Sequence, residues 1–267
     1  MLSYRHGFHA GNPADVFKHA VLLALVEAMQ RKPKGIRFVD THAGPADYDL
    51  GHEFATKNRE FERGIGAIWR DPPAALADYV DAVRRHNPEE RLARYPGSPE
   101  LLRDRLRGQD ELVLCELHPT EQRALNERFT RDRHVSIVTG DGYATLASLP
   151  APKTGRGLTL IDPPFELKSE LDDLADALSA ALRQFGHGVY AIWYPVIEGK
   201  ATTPDALPDI LGLDDESWLD LRIRFTEAER LGRMTGCGMA IVNPPWSARD
   251  ALARITALWP AEAGSAA

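Results

Sequence analysis

The run Asp162-Pro163-Pro164-Phe165 is the part of this chain best suited to chemistry. An exocyclic aromatic amine is a poor nucleophile, because its lone pair is delocalised into the ring. A carboxylate and a backbone carbonyl that accept hydrogen bonds from the same NH2 favour a pyramidal nitrogen with its lone pair aimed outward. Asp162 and the Pro163 carbonyl are adjacent and of the right types, and successive prolines fix the turn without adding a competing N–H. Phe165 would then stack on a base flipped out of its helix, a contact worth roughly 1–3 kcal/mol. Read without chemistry, the same four residues make a rigid strand-to-helix turn.

Asp162 closes one of several aliphatic runs that end in polar residues. Residues 36–40 lead into Asp40-Thr41-His42-Ala43-Gly44, 112–116 end in Glu116, and 135–138 precede Asp141-Gly142. In an open parallel sheet, ligands bind outside the carboxyl ends of the strands, near the switch in strand order. By that rule a small turn after the first run lets backbone approach a ligand, and Glu116 accepts both hydroxyls of a ribose. Asp141 receives an adenine amine, with Gly142 leaving room. One nucleoside-shaped ligand uses these three ends, and the fourth, at Asp162, faces the substrate. Each acid alone reads as a cap or turn residue; four in this order point to a site. A dinucleotide-binding dehydrogenase also places an acid after its second strand, but Gly44-Pro45-Ala46-Asp47 does not match G-x-G-x-x-G.

The elements that must position these residues follow from periodicity. Asn12-Pro13-Ala14-Asp15 reads as a helix start, with Asn capping, Pro in the first turn and Asp at the positive end of the dipole. That helix is predicted to run to about Arg31, with Val16, Ala20, Leu23 and Ala24 on its buried stripe. Further strands are expected at 189–194 and 239–243, and helices at 120–131 and 170–185. Near-continuous apolar strands alternating with helices predict a mostly parallel sheet covered on both faces. Residues 219–225 alternate strictly and are followed by a glycine-bearing run, which predicts an antiparallel hairpin closing the sheet edge. The last strand ends in Asn243-Pro244-Pro245-Trp246, a second version of the site motif. An antiparallel strand places it at the edge away from the cofactor and gives it a structural role; a parallel one would reopen the assignment. About 70 residues separate the first two strands, more than one crossover helix needs. The expected division is a main domain over 1–52 and 96–260, a small helical insertion over 53–95, and a disordered tail over 261–267.

The totals suit one large α/β domain: 267 residues, 43% hydrophobic and 27% charged. No run approaches the roughly 18 apolar residues of a membrane helix, and the N-terminus has no apolar signal core. A cytoplasmic protein is expected, with Cys115 and Cys237 as buried thiols. The net charge of -7 is awkward for a nucleic-acid partner, yet through Arg37 six basic residues face two acidic ones, a local surplus of +4. A basic N-terminal face on an acidic body fits local RNA docking better than sequence-independent coating. Lys18 is a candidate for RNA phosphate, or else a solvated helix lysine. His6, His9, His19 and His42 lack the tight spacing of a metal site, so no metal is expected, and His6 and His9 read as core or capping residues.

Three segments together resemble one family. Tyr4-Arg5-His6-Gly7-Phe8-His9-Ala10-Gly11-Asn12, continued by Ala14-Asp15 and Lys18-His19, is similar to the N-terminal signature of the RlmJ family of 23S ribosomal RNA adenine-N6 methyltransferases. So are Asp40-Thr41-His42-Ala43-Gly44 and Tyr95-Pro96-Gly97-Ser98, and Glu116-Leu117-His118-Pro119, Asp141-Gly142, Asp162-Pro163-Pro164 and Trp193-Tyr194-Pro195 complete the match. The resemblance implies a monomeric, Rossmann-like class I methyltransferase with a seven-stranded sheet, antiparallel in its last strand. It implies monomethylation of one adenine in 23S rRNA, taken protein-free or early in assembly, with S-adenosylmethionine as donor. It places His19, His42, Ser98, Glu116, Asp141 and Gly142, with Asp162, at the cofactor, makes Asp162 catalytic, and puts Tyr4 at the RNA. The chain departs from the family at Pro45-Ala46-Asp47, where a further glycine is usual, and at Phe165, where Tyr is usual. Two rivals remain: the same chemistry on DNA, and a non-catalytic RNA-binding or ribosome-assembly protein on a methyltransferase-like fold.

Overall fold

A computed structural model of the chain describes residues 6–167 and 169–260. Its first long element is α1, Pro13–Gln30, opened by Asn12, whose side chain accepts the Asp15 N–H at 2.9 Å. The stripe expected on α1 is too narrow. The helix is buried on nearly every side, Lys18 and His19 included, because other helices and the sheet enclose it.

β1 (Arg37–Asp40) leads into a two-stranded antiparallel ribbon, β2 (Asp47–Asp49) with β3 (Arg94–Pro96), in which Tyr48 faces Tyr95. Between the ribbon strands lie α2 (Glu53–Asn58), α3 (Ile65–Ile68) and α4 (Ala77–Arg84), three short helices within the stretch read as a helical insertion. Tyr79, Val80 and Val83 of α4 join the same apolar cluster as α1, so this stretch adds to the main core. α5 (Ser98–Arg103), β4 (Glu111–Glu116), α6 (Pro119–Phe129), β5 (Val135–Thr139) and α7 (Gly142–Ser148) follow. Next come β6 (Gly157–Ile161), α8 (Glu170–Gln184), β7 (Val189–Ile197), α9 (Leu207–Leu211), β8 (Trp218–Arg224), β9 (Met234–Val242) and α10 (Arg249–Thr256).

The main sheet is ordered β5-β4-β1-β6-β7-β9-β8. β5, β4, β1, β6 and β7 run parallel, while β9 is antiparallel to both β7 and β8. The hairpin expected at the edge is therefore present, with Trp218 opposite Val242. Alternate side chains feed two cores. Phe38, Leu112, Leu158 and Leu160 face α1, α4 and α10, whereas Ile161, Tyr190 and Ile192 face α7, α8 and α9. Because β4 and β6 leave β1 in opposite directions, the strand order switches at β1, and the crevice lies beyond its carboxyl end.

Candidate active site

That crevice is a cavity of about 590 Å³, within the usual range for small-molecule sites. It gathers side chains from the ends of four strands. Gly44, at φ +61, gives the tight turn after β1, and its N–H donates to Glu116 Oε2 at 2.7 Å. The His118 N–H donates to Glu116 Oε1 at 2.6 Å, so the carboxylate is aimed before any ligand arrives. Asp141 caps α7 by accepting the Ala144 N–H at 2.8 Å. Gly142 is required by contact, since a Cβ there would collide with the Thr41 carbonyl oxygen.

His19, His42, Ser98, Glu116, Asp141, Gly142 and Asp162, the residues expected at a cofactor, all line this one cavity, as do Pro163 and Lys18. Burial drives His19 down to about 3 and His42 to about 4, so both rings are neutral. His19 Nδ1 lies 2.7 Å from the Tyr95 hydroxyl, and His42 Nδ1 lies 2.8 Å from Thr41 Oγ1. Behind them, burial pushes Asp40 up to about 7, helped by the Asp162 carboxylate. Asp40 Oδ1 accepts the His42 N–H at 3.2 Å, while Oδ2 is buried without a hydrogen-bond partner.

Two expectations need correction. Lys18 is neither solvated nor facing phosphate: it is 3% exposed, with Nζ 2.9 Å from Asp15 Oδ1 and 2.5 Å from Asp162 Oδ2. Burial alone would lower its pKa, but the two carboxylates outweigh burial and hold the ammonium above its ordinary range. Phe165 does not line the cavity. It is 8% exposed, at φ +51, with its ring centroid 6.2 Å from that of Trp193 inside the second core. Tyr4 and the 261–267 tail lie outside the described residues.

The sequence reading also missed a role for Asp15. Besides facing the helix dipole it accepts the Gly11 N–H at 2.9 Å and contacts His6 Nε2 at 3.0 Å. His6 and Lys18 offset the effect of burial and keep its carboxyl well below the usual range. The i,i+3 spacing to Lys18 was the available signal. His9, read as capping or core, contacts Glu60 at 2.9 Å. Asn243-Pro244-Pro245-Trp246 does follow an antiparallel strand, and Asn243 Nδ2 donates to the Gly186 and Gly188 carbonyls before the start of β7, away from the cavity.

Numbered within the sheet alone, the strand order is 3-2-1-4-5-7-6, which with these strand-end acids defines a class I methyltransferase fold. The family model described as ribosomal RNA large subunit methyltransferase D, RlmJ, matches residues 33–263, and the chain belongs to the RlmJ family. It is 39% identical over 251 residues to Ribosomal RNA large subunit methyltransferase J of Escherichia coli, covering 92% of this chain and 88% of that one. Identity to the protein of the same name from Haemophilus influenzae is 38%, covering 92% and 89%. A crystal structure of a Legionella pneumophila protein superposes with a TM-score of 0.81 at 31% identity, covering 94% of this chain and 92% of that one.

Proposed function

We propose that this protein transfers one methyl group from S-adenosylmethionine to the N6 amine of an adenine in 23S rRNA, acting as a monomer on RNA that is protein-free or early in assembly. The observation that carries the reading is the Asp162 carboxylate at the end of β6, beside a cavity whose other strand ends hold acids suited to a nucleoside. The names of the relatives support an RNA of the large subunit as the substrate.

The residues present fit such a donor. Glu116 has lone pairs left after its two backbone bonds and would hold the ribose hydroxyls, and Asp141, which lines the same cavity, would accept the adenine amine. When bound, the sulfonium supplies an activated methyl group, so catalysis rests largely on positioning the amine.

Positioning falls to Asp162 and the turn after it. Lys18 occupies Oδ2 and fixes the carboxylate rotamer. Oδ1 accepts one N–H of the target amine and the Pro163 carbonyl accepts the other. With both hydrogens engaged, the nitrogen lone pair is turned away from the ring plane and toward the incoming methyl. The neutral rings of His19 and His42 line the cofactor side without adding repulsion to a cationic donor.

Radiolabelled methyl transfer to protein-free 23S RNA, duplex DNA and a peptide pool tests the reading. Counts in the RNA that mass spectrometry resolves as N6-methyladenosine support it, whereas counts in DNA alone overturn the substrate.

A further inference from the structure

The loop after Asp162 must keep the Pro163 carbonyl in place, yet Pro163 and Pro164 have no N–H with which to anchor it. Lys18 grips the Asp162 carboxylate at one end, and the Phe165 ring is packed in the second core. Leu167 is a further point of attachment. Its N–H donates to Glu170 Oε2 at 3.3 Å, and its carbonyl accepts the Glu170 N–H at 3.4 Å. Taken alone, this exchange would be a cap on α8.

Glu170 does more than cap. Its Oε1 accepts the Tyr143 hydroxyl at 3.2 Å, so one carboxylate joins the loop after β6 to the first turn of α7. Tyr143 follows Gly142, and its ring stands edge-on to that of His42, with centroids 5.3 Å apart at 71°. Tyr143, His42, Leu167 and Glu170 line the same cavity as Asp162. The link therefore runs from the strand ends that would hold the donor to the loop that would hold the amine. Glu170 is only 6% exposed. Burial raises its carboxyl pKa, as do the Asp173 and Glu166 carboxylates, while the bonds from Leu167 and Tyr143 act the other way. Burial and the Glu170 carboxylate also push the Tyr143 hydroxyl up, so it stays protonated and donates. Burying a carboxyl group among other acids is unfavourable unless hydrogen bonds offset it. Here both oxygens are bonded, and together they tie the loop down.

We propose that Glu170, oriented by Tyr143, is a positioning residue for methyl transfer: it holds the loop after Asp162 so that the Pro163 carbonyl stays aimed at the target amine. It acts through the backbone of 163–167 and not by contact with the amine. A displacement of about 1 Å at a positioning group costs up to about 100-fold in rate. The proposal rests on the roles of Asp162 and Pro163 given above.

The test is methyl transfer by the full-length protein to protein-free 23S transcript, with cofactor Kd by calorimetry and Tm measured in parallel. Glu170→Ala removes both bonds and is expected to lower kcat at saturating RNA about 10- to 100-fold, with cofactor Kd and RNA KM within about twofold of wild type. Glu170→Gln can still accept the Leu167 N–H and donate to the Tyr143 hydroxyl, and is expected to bring kcat back to within about threefold. Tyr143→Phe keeps the ring against His42 and loses the hydroxyl, for an expected kcat loss of about three- to tenfold; combined with Glu170→Ala it is expected to add nothing further. Unchanged kcat in Glu170→Ala, or in Tyr143→Phe should the alanine variant not fold, overturns the proposal. So does a glutamine variant as slow as the alanine one, or a kcat loss that merely tracks Tm across the variants. A wild-type protein that methylates only DNA refutes the substrate reading, and the same variants measured on DNA then decide the role of Glu170.

Discussion

Replacing Asp40 with asparagine isolates what burial does to a carboxyl group at the end of β1. The side chain is fully buried, Oδ2 has no partner, and burial together with the Asp162 carboxylate pushes the group up to about 7. An unfolded chain loses that proton near 3.9. Between these values the folded protein keeps a proton that the unfolded chain gives up, so this group makes stability fall as pH rises from about 4 to about 7. At about 1.36 kcal/mol per pKa unit, the penalty is roughly 2 kcal/mol at about pH 5.5 and roughly 4 kcal/mol at about pH 8. Asparagine has no such penalty. The stability of Asp40→Asn relative to wild type is therefore expected to grow by about 2 kcal/mol between those two pH values, measured by urea unfolding of both proteins. His19 and His42 act in the other direction. Held neutral, they make the folded state lose stability as pH falls below about 6.5. That contribution is common to both proteins and cancels in the difference. Parallel pH profiles for the two proteins would refute the electrostatic reasoning.

Lys18→Met leaves Asp15 and Asp162 facing each other without their shared cation. A loss of about 3–5 kcal/mol in urea unfolding is expected, and a loss below about 1 kcal/mol would show the pair to be dispensable. Gly142→Ala drives a methyl into the Thr41 carbonyl and against the His42 ring. It is expected to lower stability by about 1–3 kcal/mol and to weaken cofactor binding in calorimetry; unaltered binding would place the cofactor elsewhere. Glu116→Ala removes the acceptor of two backbone N–H groups and should raise the cofactor Kd at least about tenfold. Asp162→Ala should leave that Kd nearly unchanged while turnover falls by about 100-fold or more, and near-normal turnover would remove Asp162 from the mechanism.

The parts of this protein that one sequence reveals are those set by local pattern. The helix start at Asn12 to Asp15, the parallel strands and their terminal acids, and the edge hairpin rest on capping and on aliphatic runs, which neighbours in sequence determine. What escaped depends on packing between distant segments. The β2–β3 ribbon has only three residues per strand, with its partners 45 or more residues apart, so no periodicity accumulates. Lys18 looked solvated because lysines on helices are usually exposed; Asp162, 144 residues away, is what buries it. The enclosure of α1 by α4, α5 and α10 likewise erased the stripe on which its orientation was read. The cavity's acids were legible because each ends a recognisable strand. The neutral state of His19 and His42 was not, because burial by remote elements determines it.

Phe165 is where the expected mechanism and the observed packing meet most directly. A non-glycine residue at φ +51 stores about 1–3 kcal/mol of backbone strain, and here the burial of the ring against Trp193 offsets it. If the ring is to stack on the target base, the turn after Asp162 must first release it from the second core, and the strain makes that release easier. Phe165→Leu separates the two roles. Leucine keeps an apolar side chain in the same space, so stability is expected to change by about 1 kcal/mol or less. With the ring packed in the second core, kcat/KM for RNA is expected to follow stability, and a separate fall by the roughly 1–3 kcal/mol of a lost stack, with cofactor affinity unchanged, would show that the ring leaves the core during the cycle. If kcat/KM follows stability alone, Phe165 is a core residue throughout the cycle, and the base must be held by Asp162 and the Pro163 carbonyl without it.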